Sequence, residues 1–252
     1  MPPHPAGRGP EPIKVAHYDR IARQWETVTG HHGGPFKREV LNAFLLDLMP
    51  PFPGLRILEL GAGNGYFAPW AVRKRGGEAP ARWAITDVSA RLVEIARRDH
   101  FLEGAEYLVL DAARAYPFES GSFDLVLATM LFNEMPTPRL ARALTSVRRV
   151  LIDGGALLAT FLHPRFVRDL DRRGKLRPPG RGDRLPTLPG PKGLRLPVVP
   201  RSEEEIEGLL SRSGFRFTGH DLAAGARVLH DRPGLRHAGG IPVALVFDAR
   251  KP

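Results

Sequence analysis

The run Leu58-Glu59-Leu60-Gly61-Ala62-Gly63-Asn64-Gly65 constrains this chain more than any other stretch. An apolar strand is expected to end at Leu60, three glycines at alternate positions then turn the chain, and a helix follows. Glycine has no Cβ, so it takes backbone angles and close approaches that other residues cannot. A turn of this kind can lie flush against a flat, polar ligand. The pattern points to a cofactor-using enzyme built from alternating strands and helices.

That alternation continues from Leu55 onward. Strands are expected at 55–60, 82–86, 106–110, 123–129, 155–161, 215–221 and 241–248, and helices at 66–75, 90–99, 139–151 and 203–212. Leu125-Val126-Leu127-Ala128 and Ala156-Leu157-Leu158-Ala159 are nearly continuous apolar strands, as in the centre of a parallel sheet covered on both faces. Thr137-Pro138 supplies an N-cap and a proline at the first helical position, and Ser202 with Glu205 forms a capping box. Two amphipathic helices are expected earlier, at 18–28 and 36–48, with His31-His32-Gly33-Gly34 in the loop between them. The expected organisation is a disordered tail at 1–12, an N-terminal helical cover at 13–54, and one α/β domain at 55–252. A proline- and arginine-rich segment at 162–200 interrupts that domain. It leaves the carboxyl end of the strand at 155–161, the ligand side of an open parallel sheet, and its length suggests a lid or substrate loop.

Composition removes several classes. The chain has 252 residues, enough for one large α/β domain with a real core. It has no cysteine, which excludes disulfides, thiolate metal sites and cysteine nucleophiles. No apolar stretch approaches the roughly 18 residues of a membrane span. The start Met1-Pro2-Pro3-His4-Pro5 lacks a basic-then-apolar signal, so a cytoplasmic protein without a membrane segment is expected. The net charge of +10 raises the question of nucleic acid. Much of it comes from ten Arg or Lys against three Asp between Pro164 and Pro200, without interleaved aromatic rings, so nucleic acid is disfavoured as a partner.

The glycine turn also resembles a dinucleotide fingerprint, but the third glycine comes one residue early, and the Glu59 carboxylate would repel a pyrophosphate. A phosphate-free cation, S-adenosylmethionine, fits better. Glu59 can act near its amino-acid moiety, and the backbone at Gly61 and Gly63 can receive that part closely. Asp87, at the end of the second strand, can accept both ribose hydroxyls. Asp111, at the end of the third, can accept from the adenine amino group, with the Ala112 amide facing a ring nitrogen.

With these residues the chain resembles the class I S-adenosylmethionine-dependent methyltransferases. The likeness extends to Pro117-Phe118-Glu119-Ser120-Gly121-Ser122-Phe123-Asp124-Leu125-Val126 and to the last strand followed by Arg250-Lys251-Pro252, and it covers about residues 13 to 252. It implies a Rossmann-like α/β fold: a seven-stranded, mostly parallel sheet in the order 3-2-1-4-5-7-6, strand seven antiparallel, helices on both faces. It also implies S-adenosyl-L-methionine as cofactor, S-adenosyl-L-homocysteine as product, and no metal. The implied cofactor-binding residues are Tyr18, Glu59, Gly61, Ala62, Gly63, Asn64, Asp87, Val88, Asp111, Ala112 and Thr129.

Methyl transfer is an in-line displacement, so the protein must align the acceptor with the methyl group. A base helps a phenol or hydroxyl acceptor, less so some amines. Many relatives carry a histidine near Met130-Leu131-Phe132-Asn133-Glu134, and this chain does not. Glu134 and His163 are the candidate catalytic residues, the histidine because an unperturbed imidazole changes charge close to neutral pH. His31, His32, Met130, Phe132 and Asn133 are candidates for acceptor binding; the two histidines alone do not make a metal site. Asp124, at a strand start, is assigned to structure. The expected reaction is methylation of an oxygen or nitrogen on a small organic acceptor such as a natural product, by a monomer or homodimer. Two alternatives stay open. One is an RNA or protein methyltransferase that docks through 164–200, and the other a non-catalytic cofactor-binding scaffold subunit.

Overall fold

A computed structural model describes residues 13–180, 185–190, 193–231 and 239–252. The expected tail at 1–12, and Arg181, Asp183, Arg184 and Lys192 of the basic run, lie outside the described residues. The chain begins with α1 (Ile13–Thr29), then a π-helical stretch Lys37–Leu41 that runs into α2 (Asn42–Leu48). The central alternation follows as β1 (Arg56–Leu60), α3 (Phe67–Lys74), β2 (Arg82–Asp87), α4 (Ala90–Asp99), β3 (Glu106–Val109) and β4 (Phe123–Thr129). After a 3₁₀ turn at Phe132–Glu134 come α5 (Thr137–Val150), β5 (Leu151–Leu162) and α6 (Pro164–Arg172). The short strands β6 (Thr187–Pro189) and β7 (Arg195–Pro197) precede α7 (Glu203–Arg212), β8 (Arg216–Ala223), α8 (Ala226–Asp231) and β9 (Pro242–Arg250).

Seven strands form one sheet in the order β3-β2-β1-β4-β5-β9-β8, and β6-β7 make a separate hairpin. Neighbours from β3 to β5 are parallel, whereas β9 is antiparallel to both β5 and β8. Counted within the main sheet alone, this is the expected order with the seventh strand reversed. The strand order changes direction at β1, which is flanked by β2 and β4. That switch point opens a crevice beyond the carboxyl ends of these strands.

Side chains alternate between faces along each strand, and the core divides accordingly. Leu58, Leu60, Val126 and Leu157 pack with Leu140 and Leu144 of α5 and Ile206 and Leu210 of α7. Ile57, Leu125, Leu127 and Leu158 pack on the other face with Leu45 of α2, Trp70 of α3 and Val93 of α4. The same alternation puts Glu59 on the face of Ile57, inside an apolar layer. A third cluster joins Phe166, Val167 and Leu170 of α6 to Leu188 of β6, Val198, and Val228 of α8. No described helix is long and apolar enough to cross a membrane.

Local chemistry sets most boundaries. Ser202 and Glu205 make the expected capping box of α7, with Glu205 N donating to Ser202 Oγ at 3.2 Å and Ser202 N donating to Glu205 Oε2 at 2.7 Å. Ser89 caps α4 by accepting from Leu92 N. Asp124 takes the backbone amide of Arg56 at 2.8 Å and its guanidinium at 2.8 and 2.9 Å, tying the start of β4 to β1. Two expectations shift. α5 starts at Thr137 itself, with Pro136 in the cap position and no side-chain cap, because Pro138 fits the first turn one residue later than expected. β5 begins at Leu151 because Leu151 pairs with Phe123; the register then slips past Gly154, whose φ of 78° only glycine adopts readily.

Candidate active site

At the end of β1 the chain passes through Gly61, Gly63 and Gly65 at φ of 63°, 63° and 75°. A Cβ on Gly61 would come within 2.7 Å of the Leu131 side chain, and one on Gly63 within 3.0 Å of Trp25 Nε1. The turn is therefore pressed between α1 and the loop after β4, and its glycines are required for space as well as for angle. Asp87 at the end of β2 holds the turn. One of its carboxylate oxygens accepts from Gly63 N at 2.9 Å and the other from Ser89 N at 2.9 Å.

α1 lies over this turn. Asn64 donates to Glu26 Oε2 at 2.7 Å and to Gly30 O at 2.9 Å, and His100 Nε2 stands 3.1 Å from Glu26 Oε1. Tyr18 packs edge-on against Trp25, and its hydroxyl donates to the Glu134 carboxylate across the mouth of the crevice. Burial, then the charge and hydrogen bond of Glu134 and the charge of Asp87, push the Tyr18 hydroxyl well above the ordinary phenol range. It stays protonated and acts as a donor.

The carboxylate of Asp111, beyond β3, accepts twice from Arg139 at 2.7 and 2.9 Å and once from Ala113 N at 2.9 Å. Burial works to raise this carboxyl, but the Ala113 amide and the Arg139 guanidinium outweigh it and hold it below the usual carboxylate range. Beyond β4, Met130 takes φ 58°, the one positive value at a non-glycine among the described residues. Met130 N donates to Thr160 Oγ1 at 2.8 Å, and Asn133 clamps the bend by donating to Met130 O at 3.1 Å and accepting from Leu162 N at 2.8 Å. Backbone held in this region collects at functional sites.

An opposite-charge pair flanks the turn. Glu59, 3% exposed, accepts from Trp83 Nε1 at 3.2 Å. Burial lifts its carboxyl to about 7, against the opposing pull of the Trp83 hydrogen bond and the Lys37 charge. Lys37, on the π-helical stretch, lines the crevice. Burial lowers its ammonium to about 8, and the charge of Glu59 works the other way.

These elements enclose a cavity of about 270 Å³ at the carboxyl ends of β1 to β4. Among the residues expected from sequence, Tyr18, Gly61, Ala62, Gly63, Asn64, Asp87, Val88, Asp111, Ala112, Thr129, Met130, Asn133 and Glu134 line it. Glu59 lies behind the turn. Four others are placed elsewhere, which corrects the expectation that they meet the acceptor. Phe132 is fully buried in the core, its ring 5.9 Å from that of Phe161. His163 caps α6: Nδ1 accepts from Arg165 N at 3.0 Å, and Nε2 lies 3.1 Å from Asp221 Oδ1, so both nitrogens are occupied away from the cavity. His31 stacks on His100 with ring centroids 4.8 Å apart, and both His31 and His32 are exposed; of their loop it is Gly34, not the histidines, that lines the cavity.

Lys37, Arg139, Trp25, Leu196 and Pro197 line the cavity without having been foreseen there. The one signal in their favour was the length and position of the segment that carries Leu196 and Pro197. The basic character of that segment points outward on α6. On α6, Arg165, Arg168 and Arg172 are exposed while Phe166, Val167 and Leu170 are buried.

Residues 57–155 match a family model described as a methyltransferase domain. A fatty-acid O-methyltransferase of Mycolicibacterium smegmatis is 34% identical over 116 residues, covering 45% of this chain and 39% of the relative. A lovastatin diketide synthase of Aspergillus terreus is 35% identical over 112 residues, covering 42% of this chain and 4% of the synthase. The chain therefore spans well under half the length of these curated relatives. The crystal structure of an S-adenosylmethionine dependent methyltransferase from Mesorhizobium loti superposes with a TM-score of 0.60 at 22% identity, covering 82% of this chain and 96% of that one. Sheet order, glycine turn and family match agree: the chain has the fold of the class I S-adenosylmethionine-dependent methyltransferases, with a methyltransferase-domain match over residues 57–155.

Proposed function

We propose that the chain binds S-adenosylmethionine in this cavity and transfers its methyl group to an oxygen or nitrogen of a small organic acceptor. One observation carries the reading. A single cavity gathers the strand-end carboxylates Asp87 and Asp111, the glycine turn and the Lys37 ammonium, with the Glu59 carboxylate directly behind. Each complements a different part of that cofactor. Lys37 suits its carboxylate, Glu59 its ammonium, Asp87 its ribose hydroxyls and Asp111 its adenine amino group. Asp111 keeps this capacity although Arg139 binds it, because a carboxylate offers about four lone-pair positions.

The bound cofactor supplies an electrophilic methyl group on a sulfonium. The protein's own work is alignment and proton removal. Asp87 holds the glycine turn in shape, and α1 covers it through Trp25 and Asn64. Glu134 stands on the acceptor side of the cavity, oriented by the Tyr18 hydroxyl, and accepts the proton released by an O–H or N–H nucleophile. The fatty-acid O-methyltransferase among the relatives fits an acceptor of this size class. Calorimetric titration with S-adenosylmethionine, followed by detection of S-adenosylhomocysteine release on mixing with candidate acceptors, tests the reading. Absence of cofactor binding refutes it.

The exposed arginines of α6 favour a second reading, a macromolecular acceptor docked by charge. Affinity for such a partner would fall steeply with salt. An acceptor affinity indifferent to salt removes this reading.

A further inference from the structure

We infer that the acceptor carries an apolar body, acyl or aryl, and that Leu196 on the β6–β7 hairpin is the residue that selects for it. The inference rests on the proposed methyltransferase reading and names the substrate class of the same cavity. Beyond the cofactor-complementary groups, the cavity wall is formed by Phe36, Met130, Leu162, Leu196, Pro197 and Val243. These come from five separate segments, so the apolar surface is an assembled wall and not one stray side chain.

Two polar groups carried by the same segments as that wall are already engaged. The Asn133 amide is divided between Met130 O and Leu162 N. The Arg195 guanidinium is turned into the hairpin, donating to Thr187 O at 2.6 Å and to Lys175 O at 3.2 Å. A sugar-like or highly charged acceptor body would meet carbon here and leave its own polar groups unpartnered, a penalty that an apolar body avoids.

The hairpin is built as a fixed wall. Leu188 and Val198 are buried against α6 and α8. Val198 N donates to Pro186 O at 2.9 Å, and Val199 N donates to Asn133 O at 2.7 Å, which fastens the hairpin to the loop after β4. Gly190 makes room for the inward side chain, since a Cβ there would stand 3.2 Å from Leu196 Cγ. The segment that sequence marks as basic is thus two-sided, with cations on the solvent face of α6 and carbon on the cavity face of the hairpin.

The test titrates protein loaded with S-adenosylhomocysteine with two pairs of probes: octanoate against gluconate, and 4-butylphenol against benzene-1,3,5-triol. Octanoate and 4-butylphenol are expected to bind and their hydroxylated counterparts to bind at least about tenfold more weakly. Leu196→Asp is expected to weaken the two apolar probes by at least about tenfold, because it sets a charge against their carbon surface. Leu196→Met is expected to retain them, and both variants should hold S-adenosylhomocysteine as the parent does. Equal binding of the paired probes, no binding of the apolar ones, or indifference to Leu196→Asp overturns the inference. Failure to hold S-adenosylhomocysteine at all strikes the underlying methyltransferase reading instead, so the two failures are distinguishable.

Discussion

Glu59→Gln should make the ligand-free protein more stable and the cofactor-bound protein harder to form. The side chain lies in an apolar layer, 3% exposed, and burial lifts its carboxyl from 4.5 to about 7. A carboxyl raised in the folded state favours folding fully below its unfolded pKa, and that advantage is lost as pH rises through the folded value. Here the window runs from 4.5 to about 7. Above it, the ionised carboxylate costs the fold about 3 kcal/mol, since each pH unit between the two values contributes about 1.4 kcal/mol. Glutamine has the same shape, still accepts from Trp83 Nε1 and never ionises. The variant should therefore gain about 3 kcal/mol at pH 8 and less than about 1 kcal/mol at pH 5. For a domain of this size that corresponds to a melting-point rise of roughly 6–12 °C at pH 8 and a small one at pH 5. Thermal melts of the ligand-free parent and variant at the two pH values measure this directly. Calorimetry on the pH 8 samples should show S-adenosylmethionine bound at least about tenfold more weakly, since the charge proposed to face its ammonium is gone there, and the difference should shrink at pH 5. Equal melting shifts at both pH values, or a loss of stability at pH 8, would refute the claim that an ionised carboxylate is kept in the core at a cost.

Lys37→Met should flatten the upper limb of the pH profile for cofactor affinity. With the ammonium titrating at about 8, the parent should lose up to about tenfold in affinity per pH unit above that value relative to the variant, which parallel calorimetric titrations would reveal. Asp87→Ala strands the Gly63 and Ser89 amides, so melts should show a loss of about 1–3 kcal/mol, with cofactor affinity falling by a similar amount. Tyr18→Phe should lower turnover and move the acidic limb of its pH profile, because Glu134 loses its donor; an unchanged profile denies that the hydroxyl orients the base. His163→Ala should cost about 1 kcal/mol through the lost cap of α6 and leave turnover intact; a collapse in turnover with an unchanged melt would restore this histidine to the chemistry.

The sheet was readable because its signals are local. Leu125-Val126-Leu127-Ala128 is apolar at every position, which suits only a strand covered on both faces, and β4 is that strand. Asp87 and Asp111 were placed at the cavity by being the first acids after an apolar strand. What resisted reading depends on a register or a partner far along the chain. Lys37 turns toward the crevice through a π-helical stretch, and no residue pattern announces a change from i−4 to i−5 bonding. Phe132 sits among Met130, Leu131 and Asn133, and the tight 3₁₀ turn alone decides that it points into the core while its neighbours face the cavity. His163 precedes a proline, the place of a helix cap, but histidine is not among the usual capping residues, and an imidazole at a strand end equally suits proton transfer. Arg139 answers Asp111 from 28 positions away, a pairing the fold creates and the local sequence does not state.

The unequal attachment of the parts bears on how such a site is entered. The glycine turn, Asp87 and the loop after β4 are fixed to the central strands by backbone bonds and by the two large core clusters. Among the described side chains, α1 makes a small apolar contact through Ala22 with Leu92 and Ile95, supported by Tyr18 and Trp25. Its described polar contacts include Asn64 on Glu26, Ser89 and the Arg91 guanidinium on Asp19, and Tyr18 on Glu134. Elements with few buried apolar contacts open at a small fraction of the free energy of global unfolding. Water can replace polar contacts as they part, so these described contacts of α1 can part without exposing the main core. A cofactor seated between the turn and Tyr18 would add contacts available only when α1 is closed, and it would therefore shift α1 toward that position by the free energy of those contacts. Under the proposed reading the Tyr18–Glu134 bond then links the two halves of the site, because the hydroxyl that orients Glu134 belongs to the element that a bound cofactor would hold in place.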